Sequence, residues 1–403
     1  MSADVGKKTT VCIYNPNLRT FGGGEKHMAY FCKFFEECFC GNVQIDILAP
    51  YTKKKEEAAR PPVQQEAINS HFGMNLTSVR EISLDLVNSF NPLAKIKKLL
   101  VVEDFSKNYD FFVNFNFMSV DRGRAKYNIY SCMFPPKKNK EKNLIKRIGK
   151  RLLFFNFYKS YDIFISNSCF TNQWLGKRWP KVKRSMVVYP PCFDSADLKG
   201  RYDEKQKKNI ILSVGRFFVD WHNKRQVEMI QFFMNGKGKF ENFEYHLVGN
   251  VQRDNPKDLE YLKGVKNLAA KAGNVFVHEN CPYSELVELY KKAKIFWHAT
   301  GYGISEEDEP EKMEHFGITT VEAMSYGAVP VVIDKAGQKE IVEQGVTGFK
   351  WLTEEECVGF TAKLACDDKL RKAMAKKASA SLEPFSYEAF CQKMKSVVET
   401  ANK

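Results

Sequence analysis

The sequence predicts an α/β protein built of two doubly wound domains facing across a cleft. Three observations carry that prediction. Short apolar, β-rich runs alternate with longer helical stretches along the chain, the pattern of parallel sheets covered by helices. The alternation restarts after about residue 195. Between the two series stand Pro190 and Pro191, in a stretch PPCFD that continues neither a strand nor a helix. At 403 residues the chain is long enough for two cores of ordinary size.

In the first series the expected strands are VCIYNP from Val11, VQIDILAP from Val43, ISLDL from Ile82, DFFVNFN from Asp110, YNIYSCM from Tyr127, DIFISNS from Asp162 and MVVYPP from Met186. The second series offers IILSVGR from Ile210, YHLVGN from Tyr245, VFVHEN from Val275, IFWHA from Ile295 and VPVVID from Val329. The expected domains are therefore 1–195 and 196–384, followed by an amphipathic helix over 385–403 that begins FSYEAF. Ligands of such folds bind beyond the carboxyl ends of the strands, so chemistry-bearing residues belong just after strands.

Composition narrows the class. An apolar fraction of 44% and 32 phenylalanines describe a globular chain with bulky cores. No apolar run approaches the length of about 20 residues that spans a bilayer, and MSADVGKKTT lacks the apolar core of a signal peptide. The eleven cysteines are scattered and form no CxxC pair. Reduced thiols and a cytoplasmic location are the expectation. A net charge of +14 attracts nucleic acid, anionic membrane and anionic small ligands alike. Much of the charge is local: Lys137 to Arg151 holds eight basic residues against Glu141, with Ile145, Ile148, Leu152 and Phe155 at helical spacing. Such a stripe over 137–157 either lies on an anionic membrane, peripherally on its cytoplasmic face, or packs on the core with its charges solvated.

The most informative segment is EHFGITTVEAMSYGAVPVV, from Glu314 to Val332. Gly317 permits a tight turn, and Thr319 or Thr320 then starts a helix ending at Gly327. A turn that aims backbone N–H groups and a positive helix end into a crevice receives phosphate or sugar oxygens. Glu314 before the turn and Glu322 in the first helical turn are placed to face that crevice, with Phe316, Ile318 and Thr319 between them. Thr319 and Glu322 also fit a capping box, in which the glutamate only reaches back to the helix start. After the first strand of the second series come Gly215 and Arg216, then Lys224, a guanidinium and an ammonium suited to a diphosphate. After the first strand of the chain comes FGGGEKH, where Gly23 and Gly24 allow close approach of a ligand, and Glu25 charges a helix start. This is no GxGxxG fingerprint. The histidines, His298 among them, lack zinc spacing and read as structural. The acidic run SEEDEPE from Ser305 reads as a solvated loop.

These motifs resemble the retaining glycosyltransferases of family 4, of GT-B fold. EHFGITTVEAM is similar to the family's ExxxxxxxE signature in the form found in mannosyltransferase-like members. ISNSCFTNQWL, VVYPPCFD, LVGN and CPYSELVELYKKAKIFWHATGYG resemble further family segments in the family's order. The resemblance implies two Rossmann-like domains, the first binding acceptor and the second the nucleotide sugar, with the last helix crossing back. It implies that Glu314 meets the donor sugar, Glu322 the ribose, and Arg216 and Lys224 the diphosphate, making Arg216, Lys224 and Glu314 catalytic. Gly23 and Gly24 approach the donor, and Glu25 and Met133 lie on the acceptor side. Here the sequence departs from the family: YSCMFPP carries Met133 where relatives often have a histidine, and a thioether does no proton chemistry. Either the Met133 carbonyl serves alone or the catalytic arrangement is altered.

The implied reaction is retaining transfer of a hexose from a GDP- or UDP-sugar to a hydroxyl of a glycan or lipid-linked acceptor. The EHFGI form points to mannose. No tightly bound cofactor and no metal are expected, and no nucleic acid partner. A nucleotide-sugar epimerase or another GT-B enzyme is the nearest alternative, and a basic nucleic-acid-binding protein is the alternative of another class.

Overall fold

The structure, a computed structural model, describes residues 8–16, 22–51, 65–85, 92–137, 157–219, 222–251, 253 and 255–401. The basic stripe expected over 137–157 lies almost wholly outside the described residues. The chain forms two compact units, Met1–Pro190 with Phe390–Lys403, and Pro191–Ala389.

The first unit is built on seven described strands, β1 (Thr9–Tyr14), β2 (Val43–Tyr51), β3 (Val79–Asp85), β4 (Phe111–Asn114), β5 (Tyr127–Cys132), β6 (Ile163–Ser166) and β7 (Ser185–Val187). All pair in parallel in the order β3-β2-β1-β4-β5-β6-β7. Parallel pairing requires crossovers, and α1 (Gly23–Cys38), α2 (Gln65–Phe72), α3 (Pro92–Ser106) and α4 (Cys169–Arg178) are the described helices among them. The strands are apolar on both faces because helices cover both; FFVN of β4 and IFIS of β6 are buried throughout. The strand order reverses between β1 and β4. Phe31 and Phe34 on α1 receive Phe390 from the final helix at ring separations of 5.1 and 6.2 Å. That contact ties residues 390 onward to the first unit.

In the second unit the order is β10-β9-β8-β11-β12-β13, again parallel. Its strands are β8 (Lys208–Val214), β9 (Glu244–Gly249), β10 (Val275–Glu279), β11 (Ala293–His298), β12 (Val329–Ile333) and β13 (Phe349–Trp351). Its helices are α5 (Ser195–Leu198), α6 (Gln226–Gly236), α7 (Pro256–Ala272), α8 (Tyr283–Lys292), α9 (Ile318–Ser325), α10 (Gln338–Ile341), α11 (Glu354–Cys366) and α12 (Asp368–Ala380), before α13 (Tyr387–Ala401). Trp297 and Trp351 are fully buried in its core. Every strand expected from the sequence is present. β13 is additional: FKW is three residues long and has no β-branched run to announce it. The reversal point lies between β8 and β11, which puts the carboxyl ends of those strands side by side.

Candidate functional site

Two turns meet at the reversal point of the second unit. The first is Gly215–Arg216, which prolongs β8 along β9: Gly215 N–H donates to the Val248 carbonyl at 2.8 Å and Phe217 N–H to that of Asn250 at 2.9 Å. A Cβ on Gly249 would stand 2.1 Å from the Gly215 carbonyl oxygen, and one on Gly215 2.6 Å from Lys224 Cγ, so both contacts require glycine. Buried Gln226 holds the same turn, its Nε2 donating to the Gly215 and Arg216 carbonyls at 3.2 and 3.1 Å. Lys224 is bracketed by His222 and Arg225, non-glycine residues with φ of +61° and +58°. Left-handed backbone on such residues costs energy, and it gathers at functional sites.

The second turn is Glu314–Gly317, between β11 and α9. Gly317 sits at φ +121° as the residue capping α9, and its absent Cβ would lie 2.3 Å from Gln338 Nε2. The helix therefore starts at Ile318, one or two residues earlier than the Thr319 or Thr320 expected from the sequence. Its end agrees with expectation, Gly327 lying at φ +80°. The turn is fastened to the segment after β12, where Gly337 N–H donates to the Glu314 carbonyl at 3.0 Å. A Cβ on Gly337 would meet the Phe316 carbonyl oxygen at 2.4 Å.

The structure brings Lys224, Glu314 and His298 together. The Lys224 ammonium pairs with Glu314 Oε2, and His298 Nε2 approaches the same oxygen at 3.1 Å. Burial alone would raise the Glu314 pKa, but Lys224 and the His298 hydrogen bond hold it well below the usual carboxylate range. Burial lowers the His298 pKa, leaving a neutral ring. Since a carboxylate only accepts, the His298 proton sits on Nε2, and the buried Nδ1 has no hydrogen-bond partner among the described residues. His298, which reads as structural from the sequence, thus lies directly against Glu314. One sequence signal marks it: a polar residue closing the apolar run IFWH beside the carboxyl end of β8.

Around this cluster, His222 Nδ1 lies 2.7 Å from the Met313 carbonyl, and its ring meets that of His315 edge-on at 4.7 Å. The His222 pKa is lowered, by burial first; Glu314 opposes that, and the cations Lys224 and Arg216 add to it. Both cations therefore lie close enough to this imidazole to act on its charge.

Glu322 stands elsewhere on α9. It is buried, and the Tyr290 hydroxyl donates to its Oε2 at 3.1 Å. The capping box with Thr319 is not formed, because the capping position belongs to Gly317; Thr320 Oγ1 instead donates to Gln338 Oε1 at 2.9 Å. Phe316 is buried edge-on against Phe385 at 5.4 Å, while Ile318 and Thr319 remain partly exposed. The acidic run is only in part a solvated loop. Glu306 accepts from Ala336 N–H at 2.8 Å and pairs with Lys339 at 3.2 Å, while Glu307 and Asp308 face solvent.

In the first unit, Gly23 and Gly24 open α1 behind Gly22, and buried Glu25 accepts from Gly22 N–H at 2.7 Å. A Cβ on Gly24 would lie 3.9 Å from Met133 Sδ, so the glycine turn and Met133 are neighbours. The Met133 carbonyl accepts from Thr171 Oγ1 at 3.3 Å.

Residues 194–381 match the family model of glycosyl transferases group 1. The chain is similar to proteins named GDP-Man:Man(3)GlcNAc(2)-PP-Dol alpha-1,2-mannosyltransferase. The Dictyostelium discoideum relative is 28% identical over 269 residues, 62% of this chain and 50% of the relative. The Caenorhabditis elegans relative is 29% identical over 246 residues, 58% of this chain and 49% of the relative. The chain thus spans about half the length of these curated relatives. Among solved structures, Anabaena HepE in complex with UDP and glucose superposes with a TM-score of 0.67 at 16% identity, over 97% of this chain and 100% of that one. At that identity the likeness is one of fold.

Proposed function

From a chain that carries a glycosyl transferases group 1 domain on a GT-B fold, we propose a retaining, metal-independent mannosyltransferase. It moves mannose from GDP-mannose to a hydroxyl of a lipid-linked glycan. The observation that carries this reading is the Lys224–Glu314–His298 cluster at the strand reversal point of the matched domain. The names of the relatives supply the donor and the class of acceptor.

In this reading Arg216 and Lys224 neutralise the charge that builds on the departing diphosphate, the term expected to dominate catalysis. Glu314, kept ionised by its neighbours, accepts from a hydroxyl of the donor sugar, and Glu322 accepts from the ribose. The bond from the anomeric carbon to phosphate oxygen breaks, and the acceptor oxygen bonds to that carbon on the same face. The acceptor proton passes to a donor phosphate oxygen, so no protein nucleophile is required. Gly23 and Gly24 permit close approach of a ligand. Glu25, engaged with Gly22 N–H, shapes that turn, and Met133 flanks the acceptor. The basic segment 137–157 makes peripheral contact with an anionic membrane, a reading that fails if the protein does not float with anionic vesicles at low salt.

The test is direct transfer from GDP-mannose to a lipid-pyrophosphate oligosaccharide, in EDTA and in magnesium, with the anomeric configuration read by NMR. Retained configuration and equal rates in both buffers support the proposal. Inverted product, or a rate abolished by EDTA, overturns the corresponding part.

A further inference from the structure

We propose that Tyr290 is the positioning residue for ribose recognition, orienting the Glu322 carboxylate to accept from the ribose hydroxyls. The inference rests on the assignment of Glu322 to the ribose. Tyr290 lies near the end of α8 and is fully buried; its hydroxyl donates to Glu322 Oε2 at 3.1 Å. An ionised carboxylate offers about four acceptor positions on two oxygens, so a phenol held on one of those oxygens fixes its plane.

The phenol is held through its ring neighbour and its own backbone. Its ring stacks on that of Tyr326 at 5.7 Å with an interplanar angle of 2°. The Arg201 guanidinium lies over the Tyr326 ring at 5.2 Å. Lys207 Nζ donates to the Tyr290 and Ala293 carbonyls at 3.2 and 2.7 Å, fastening the last turn of α8. Burial first, and then the Glu322 charge, raise the Tyr290 pKa well above its ordinary value. The group therefore remains an O–H donor throughout the physiological range. Sequence alone does not mark this role, because in CPYSELVELYKKAKI Tyr290 falls on the apolar stripe of an amphipathic helix.

A merely structural tyrosine and a positioning tyrosine differ in what they do to ligand selectivity. The experiment is calorimetric titration of wild type, Tyr290→Phe and Glu322→Gln with GDP and with 2′,3′-dideoxy-GDP. Tyr290→Phe keeps the ring and its stack, and unfolding without ligand checks that the fold survives. Wild type should prefer GDP, and Tyr290→Phe should bind GDP about tenfold more weakly, the scale of one hydrogen bond to a charged group. Its affinity for the dideoxy ligand should equal that of wild type. Equal weakening of both ligands, or none of either, overturns the inference. If the phenylalanine variant does not fold, the same comparison is read on wild type and Glu322→Gln. A wild type preference for GDP that Glu322→Gln leaves intact also overturns it, by removing the ribose assignment. A wild type that binds neither ligand refutes the GDP-donor reading beneath both.

Discussion

Replacing Lys224 with methionine removes the ammonium and keeps most of the aliphatic stem, which isolates the charge. Lys224 and Glu314 side chains are each 20% exposed, so the pair lies between a surface ion pair, worth at most about 1 kcal/mol, and a buried one, whose disruption costs about 3–5 kcal/mol. A destabilisation of about 1–3 kcal/mol is expected. The cost should depend on pH. Glu314 has its folded pKa held below the unfolded value of about 4.3, so its contribution is present above that value and lost as pH falls through the lowered one. In Lys224→Met that acid-side loss shrinks, and the gap between the two proteins narrows below about pH 4. Turnover should fall further than stability suggests. Removing one group that stabilises developing charge costs about 2–4 kcal/mol, or roughly 30- to 1,000-fold in kcat. Urea denaturation at pH 7 and pH 3.5 and initial rates with GDP-mannose measure both effects. Near-normal turnover of a folded Lys224→Met protein would refute the charge argument.

Three further outcomes are expected. His298→Leu should lower kcat about tenfold or more, while His298→Gln, whose amide N–H still reaches Glu314, should recover much of the loss; equal rates in the two variants contradict the orienting role of the Nε2–H bond. Gly317→Ala should destabilise by at least about 1–3 kcal/mol, since φ is +121° and the new methyl meets Gln338 Nε2; an unchanged urea midpoint would contradict this. Burial lowers Lys207 to a pKa of about 7, so the unfolded chain binds the extra proton from there up to about pH 10.4 and stability rises with pH across that window. The urea midpoint should climb from pH 7 to 9 in wild type and stay flatter in Lys207→Met; parallel slopes would disprove the assignment.

Both sheets were legible because parallel strands buried on two faces leave uninterrupted apolar runs, and runs such as VCIY and VPVV differ sharply from the helices between them. FKW of β13 was too short to stand out. Within the site, Glu314, Gly317 and Lys224 were visible as residue types at informative spacings. Their mutual contact was not: Lys224 and Glu314 are ninety positions apart, and only the parallel neighbourhood of β8 and β11 joins them. The place of His298 at the end of an apolar strand marks it, but its approach to Glu314 depends on a turn sixteen residues away. Tyr290 was hidden within an amphipathic stripe. The capping-box alternative is not formed: Thr319 and Glu322 have its spacing, yet Gly317 takes the cap and Glu322 accepts from Tyr290.

The central claim is that the second unit binds a guanosine diphosphate sugar through its basic and acidic cluster. Thermal unfolding with GDP, UDP, ADP, dTDP and CMP, each with and without magnesium and beside an oligonucleotide, tests it most directly. A ligand at about 100 times its Kd adds roughly 2.7 kcal/mol of stability. The account predicts a selective upward shift with GDP that is unaffected by magnesium and lost in Lys224→Met. No shift with any diphosphate, together with a salt-sensitive shift from the oligonucleotide, would contradict it and return the basic surface to a nucleic-acid role.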